Sequence, residues 1–166
     1  IALSKLGAKS VTGVDINKSG LQIASKYLKK TDIQNVDFIE HDVLNLPFDD
    51  ESFDFVFSKG VLHHTGNLDL GINEYSRVLK KDGNGFLYLY ANGGIYWHSR
   101  KMMREVMQLI PMNFASKILE IIDLPPRRTI FLDSWYVPIE EYVTSEYIEN
   151  KFNEFNYKLI NRMKSP

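Results

Sequence analysis

The stretch Phe53–Thr65, FDFVFSKGVLHHT, decides the fold. Phe53 to Ser58 is almost wholly apolar, as a strand buried on both faces should be. Immediately before it, LPFDDES (residues 46–52) supplies the turn residues Pro47, Asp49 and Asp50. Further back, Val11 to Asp15 and Val36 to Glu40 read as strands, and the acidic residues Asp15 and Asp42 each close a short apolar run. Strands that end in polar residues at several points along a chain predict a parallel sheet whose carboxyl edge holds a ligand.

Between and after these strands the apolar spacing turns helical. Leu21, Ala24 and Leu28 share one face, with Lys26, Lys29 and Lys30 pointing elsewhere, and this helix is expected to stop near Thr31. Leu68, Ile72, Tyr75 and Leu79 form a second stripe. Asp82 and Gly83 then predict a turn, and Phe86 to Tyr90 a strand. Beyond Asn92 the rhythm changes to two helices, one carrying Met103, Val106, Met107 and Ile110 and ending before Pro111, the other carrying Phe114, Ile118 and Ile121. Thr144 or Ser145 can cap a last helix with Ile148, Phe152 and Phe155, followed by a short strand near Tyr157 to Ile160. Repeated alternation of strand and helix signals an α/β domain.

Composition sets limits on partners. A chain of 166 residues with 44% hydrophobic content fits one domain with a sizeable core. Its formal net charge of −1, without a basic stripe, gives no electrostatic footprint for nucleic acid. No apolar run reaches the length of a membrane span, and Ile1 opens no basic leader with an apolar stretch, so a cytoplasmic protein is expected, with no membrane partner. The absence of cysteine removes disulfides, thiolate catalysis and zinc-thiolate sites, leaving four histidines. His41, His63, His64 and His98 lack the spacing of converging metal ligands, and no metal site is expected.

The acidic strand ends suit a nucleoside. A carboxylate where Asp15 stands can accept two hydrogen bonds from ribose hydroxyls, and Asp42 can accept from an exocyclic amine such as that of adenine. Each alone reads as readily as a turn former, helix cap or solvated loop carboxylate. Together, at the ends of successive strands, they carry more weight.

The segments VTGVDIN (11–17), HDVLNLPFDDESFDFVFSKGVLHHT (41–65) and EYSRVLKKDGNGFLYLY (74–90) together resemble a class I S-adenosylmethionine-dependent methyltransferase of the small-molecule type. The resemblance runs from Ile1 to about Asn92, and more loosely over Thr144 to Asn161. It implies a Rossmann-like, mostly parallel sheet flanked by helices, with a helical insertion after the fifth family strand. The chain would be a single partial domain: a cofactor-binding core over 1–92, a helical insertion or lid over 93–143, and a C-terminal helix and strand over 144–166. By the same resemblance S-adenosylmethionine is the cofactor. Asp15 would bind its ribose and Ile16 would pack on adenine. Asp42 with the Val43 backbone would read the adenine edge, while Ser58, Lys59 and Gly60 would line the methionine end. The family's first strand, which lies between the strands read here as Val11–Asp15 and Phe53–Ser58, and its glycine-rich loop have no counterpart in this sequence. The chain is therefore expected to be a fragment of a longer reading frame, truncated at both ends.

His63 and His64 are the candidate catalytic residues, because neutral imidazole can take a proton from a hydroxyl or amine attacking the sulfonium methyl. Packing or loop shaping explains at least one of them as well. Adjacent histidines point in different directions, so the two are expected to differ in role. Tyr96, Trp97, Trp135 and Tyr136 flank the insertion, and Tyr96, Trp97 and Tyr136 are candidate contacts to a small-molecule acceptor, with core packing as the competing reading. Met102, Met103 and Met107 are expected to pack. Arg127 and Arg128 suit either an anionic acceptor or a solvated pair. The expected reaction is methyl transfer to oxygen, nitrogen or carbon. A nicotinamide-dependent oxidoreductase and a non-catalytic Rossmann-like binding module are the alternatives, and the sequence leaves the oligomeric state open.

Overall fold

The computed structural model describes residues 1–92, 94–121, 132 and 135–162, with Gly94, Tyr96 and Trp97 described by backbone alone. The chain forms two compact units, one of Ile1–Val56 with Asp69–Gly85, the other of Phe57–Leu68 with Phe86 onward. Among the described residues four strands make two two-stranded sheets, β1 with β2 and β3 with β4.

In the first unit, α1 (Ala2–Lys5) leads into β1 (Val11–Asp15), then α2 (Lys18–Leu28) and β2 (Val36–Glu40). β1 and β2 run parallel, from Val11 opposite Val36 to Asp15 opposite Glu40. Parallel neighbours need a crossover connection, usually a helix, and α2, packed on both strands, fills that role. Asn17 caps α2 by accepting from the Gly20 N–H at 3.1 Å. Leu21, Ala24 and Leu28 lie on its half-buried face while Lys26, Lys29 and Lys30 are exposed, as their spacing predicts. The strands sit close because residue 13 is glycine: a Cβ there would meet the Phe38 ring at 2.8 Å. Asn35 fixes the start of β2, donating to Ala8 O at 2.7 Å while Ser4 Oγ donates to its Oδ1 at 2.6 Å.

Most of α3 (Leu68–Val78) belongs to this unit. Leu68, Ile72 and Tyr75 of its predicted stripe are all at 5% exposure or less, while Leu79, equally buried, is the first residue of the following strand and not part of the helix. Tyr75 Oη donates to Val56 O at 3.2 Å, and a Cβ at Gly85 would collide with that hydroxyl.

The boundary between the units falls inside β3 (Phe53–Lys59) and β4 (Leu79–Tyr88). Phe57 stacks on Phe86 at 4.9 Å and the Gly60 N–H donates to Tyr88 O at 3.2 Å, so the two strands ascend together. β4 begins directly after α3, where the sequence predicts a turn at Asp82 and Gly83. Lys80 pairs with Asp54 at 2.7 Å and Lys81 with Glu51 at 3.3 Å, which holds this stretch extended. β3 is not buried on both faces: Phe55 and Phe57 are 42% and 51% exposed, and β4 is its one strand partner among the described residues.

The second unit contains a short 3₁₀ turn (Leu62–His64), α4 (Gly94–Gln108), α5 (Met112–Ile121) and α6 (Ser145–Glu154). Ala115, Leu119 and Leu132 form a small core, with Ile110 and Tyr136 packed against it. The segment before α6 extends the chain beside the end of β4. Val143 N donates to Tyr90 O at 3.0 Å and Asn92 N to Val143 O at 2.7 Å, around a parallel bridge from Ala91 to Val143. Thr144 is the cap of α6, accepting from Tyr147 N at 3.1 Å. The strand expected near Tyr157 to Ile160 does not form; Leu159 and Ile160 stand 62% and 84% exposed with no strand to pair with among the described residues.

Candidate cofactor and acceptor sites

In the first unit, the carboxyl ends of β1 and β2 bring Asp15, Ile16, Asp42 and Val43 to one edge. Asp15 stands opposite Glu40, and the His41 N–H donates to Asp15 O at 3.1 Å, which carries the pairing one residue beyond the strands. Each carboxylate also shapes its own turn. Asp15 Oδ1 accepts from Asn17 N at 2.8 Å and Asp42 Oδ1 from Leu44 N at 2.9 Å. The turn-forming and ligand-binding readings are therefore compatible, since a carboxylate has a second oxygen with acceptor capacity. Both acids are exposed, and Ile16 presents an apolar side chain 71% exposed between them in the chain. Two acceptors and one apolar face on a single sheet edge fit the hydroxyls, amine and ring of an adenosine.

In the second unit, Ser58 and Lys59 end β3 and Gly60 follows with φ 73°. That left-handed conformation favours glycine, and the space where a Cβ would project holds nothing within 4 Å. Backbone here is open to close approach.

The two histidines have unlike surroundings. His63 is fully buried, its ring 4.0 Å from that of Tyr90 and 4.1 Å from that of His64, and neither ring nitrogen has a partner among the described residues. Burial first, and then the neighbouring His64 charge, push its pKa down to about 4, so it is neutral at pH 7. His64 is half-buried, with Nδ1 2.7 Å from Ile139 O. A carbonyl only accepts, so Nδ1 carries the proton and the Nε2 lone pair is basic.

Sequence reasoning missed the charged cluster of this unit. Glu140 accepts from Arg100 at 2.7 Å, from Arg104 at 3.2 Å and from the Tyr142 hydroxyl at 2.5 Å. Burial alone would raise its carboxyl pKa, but Tyr142 and Arg100 hold it below the usual range. The Arg100 guanidinium lies 5.1 Å from the Tyr90 ring centre and 5.6 Å from that of Trp135. The i, i+4 spacing of Arg100 and Arg104 was a visible signal of a shared face. Their partner, more than thirty residues downstream, was not.

Tyr136 sits in packing, with its hydroxyl donating to Ile110 O at 3.0 Å. The side chains of Tyr96 and Trp97, and Arg127 and Arg128 altogether, lie outside the described residues. Met102 and Met103 are 67% and 51% exposed instead of packed, because α4 turns its arginine face, not its methionine face, toward Glu140. Among the described residues no three metal-ligating side chains converge, and no helix is long and apolar enough to cross a membrane.

Residues 1–87 match the family described as Methyltransferase domain. The Bacillus subtilis protein named Uncharacterized methyltransferase YcgJ is 35% identical over 75 residues, which is 45% of this chain and 30% of that protein. Its crystal structure aligns with a TM-score of 0.60 at 21% identity, over 89% of this chain and 52% of that one. Demethylmenaquinone methyltransferase of Staphylococcus epidermidis is 36% identical over 85 residues, 50% of this chain and 34% of that protein. PKMT2 from Rickettsia typhi, solved in complex with AdoHcy, shares the fold with a TM-score of 0.62 at 16% identity, over 88% of this chain and 33% of that one. The matched region thus spans about a third of the length of these curated relatives. With residues 1–87, more than half of the chain, matching the family's domain, the chain belongs to the class I S-adenosylmethionine-dependent methyltransferases.

Proposed function

We infer that the protein carrying this chain transfers a methyl group from S-adenosylmethionine to a small-molecule acceptor, at oxygen, nitrogen or carbon. The observation that carries the cofactor half is the shared edge of Asp15, Ile16 and Asp42. Asp15 takes the ribose hydroxyls, Ile16 covers one face of adenine, and Asp42 with the Val43 backbone reads its edge. For the methionine end the resemblance to the family suggests Ser58, Lys59 and Gly60. When bound, the cofactor supplies an activated methyl on a good leaving group, so the chain's work is to hold and align the acceptor. Where the acceptor arrives protonated, His64 Nε2 takes the proton, while buried His63 supports the turn. A small organic acceptor accords with the name of the demethylmenaquinone relative. Family membership weighs against a nicotinamide oxidoreductase, and the protein acts without nucleic acid or membrane as partner, in the cytoplasm.

Calorimetric titration of the protein carrying this chain tests the assignment. Losing a hydrogen-bonded carboxylate costs roughly 1–3 kcal/mol, so Asp15→Ala and Asp42→Ala should each weaken S-adenosylmethionine binding about tenfold or more. Unchanged affinity in both variants would refute it.

A further inference from the structure

The loop between Asp42 and β3 is organised by one side chain on α3. A guanidinium has five N–H donors in a rigid fork, and Arg77 uses all five. Its Nε donates to Glu74 Oε1 at 2.7 Å. One terminal nitrogen donates to Phe48 O at 2.7 Å and Asp50 Oδ1 at 2.9 Å. The other donates to Leu46 O at 3.0 Å and Glu74 Oε2 at 2.9 Å. Glu74 in turn accepts the Leu46 N–H at 2.7 Å, so both backbone groups of Leu46 are tied to α3. The Arg77 carbonyl also receives the Glu51 N–H at 2.8 Å.

Leu46 comes directly after the turn that Asp42 builds with Leu44 and Asn45. At the other end, that turn is fixed by the pairing of His41 with Asp15. It is a short span held at both ends, and α3 supplies one of them.

We propose that Arg77, with Glu74, is a positioning residue that sets the Asp42 turn for recognition of the adenine amino group. The pair touches no cofactor atom; it fixes where the Asp42 carboxylate points. This rests on the reading of Asp42 given above. Arg77→Lys keeps the charge but loses the fork, so the Leu46 and Phe48 carbonyls are no longer held together.

The test is equilibrium binding, to the protein carrying this chain, of S-adenosylhomocysteine and of its inosine counterpart, in which a carbonyl oxygen replaces the adenine amino group. Wild-type protein should prefer the adenine form by about tenfold or more, because a site built for a donor rejects a ligand lacking it. In Arg77→Lys, with folding checked by circular dichroism, that preference should shrink to about threefold or less. A role confined to stability would weaken both ligands equally and leave the ratio intact, and that result would overturn the proposal. If Arg77→Lys does not fold, Glu74→Gln is read in the same way, since it weakens the hold on the Leu46 N–H. Absence of any preference in the wild-type protein would sink the Asp42 assignment, and this proposal with it.

Discussion

Burial holds the His63 imidazole down to about 4 from its ordinary 6.5, while His64 beside it keeps a fixed Nδ1 proton on Ile139 O. The unfolded chain takes up a proton near 6.5 that folded His63 refuses until about 4. Folding stability therefore falls as the pH drops through that window. Relative to His63→Phe, which cannot titrate, the wild type should lose about 1–3 kcal/mol more between pH 7 and pH 4. Melting curves over that range measure the difference, and parallel curves would refute it. His64→Ala should behave in the other way, losing turnover with little change in melting temperature or cofactor affinity. Should its activity fall only with the folded fraction, His64 is not the base. The sequence shows the pair in its HHT turn and the reason to separate their roles. It does not show that His63 packs closer to Tyr90 or that His64 meets Ile139, because those partners come from distant segments.

α3 was legible because a helix buried along one stripe writes its period into the sequence, and Leu68, Ile72 and Tyr75 are where that period puts them, though Leu79, the stripe's expected fourth member, already starts β4. β4 was less legible. Its first half is polar, and its extension depends on cross-strand pairs to Asp54 and Glu51 that no local pattern reveals. α4 was read from its apolar spacing, yet its anchor is ionic: the side chains of Glu140, Arg100 and Arg104 are 2%, 11% and 12% exposed. Removing one member of a buried charge set leaves its partners uncompensated. Glu140→Ala should therefore destabilise the second unit by about 3 kcal/mol or more. Urea unfolding followed by tryptophan fluorescence, Trp97 and Trp135 both belonging to this unit, would measure this, and a loss below about 1 kcal/mol, the range of exposed pairs, would mean that the cluster is solvated.

At the scale of the molecule, the order of strands and helices could be read directly, and the strand missing between Val11–Asp15 and Phe53–Ser58 accords with β1 and β3 not pairing with each other. Among the described residues the strands form two pairs, the parallel pair β1–β2 and the pair β3–β4, so that β1 and β3 each have a single strand partner. Ile16, Phe57 and Val61 remain 71%, 51% and 42% exposed. Edges without partners and apolar side chains without cover are costly, so residues 1–166 alone should bind S-adenosylmethionine weakly or not at all. Micromolar affinity by calorimetry for this stretch in isolation would overturn that expectation. The two kinds of ion pair also divide the molecule by its response to ionic strength. Lys80 with Asp54 and Lys81 with Glu51 lie in solvent, where added electrolyte screens them over about 8 Å or less at physiological concentration. Glu140 and its arginines are shielded from those ions. Brine would loosen the first half of β4 while leaving α4 moored.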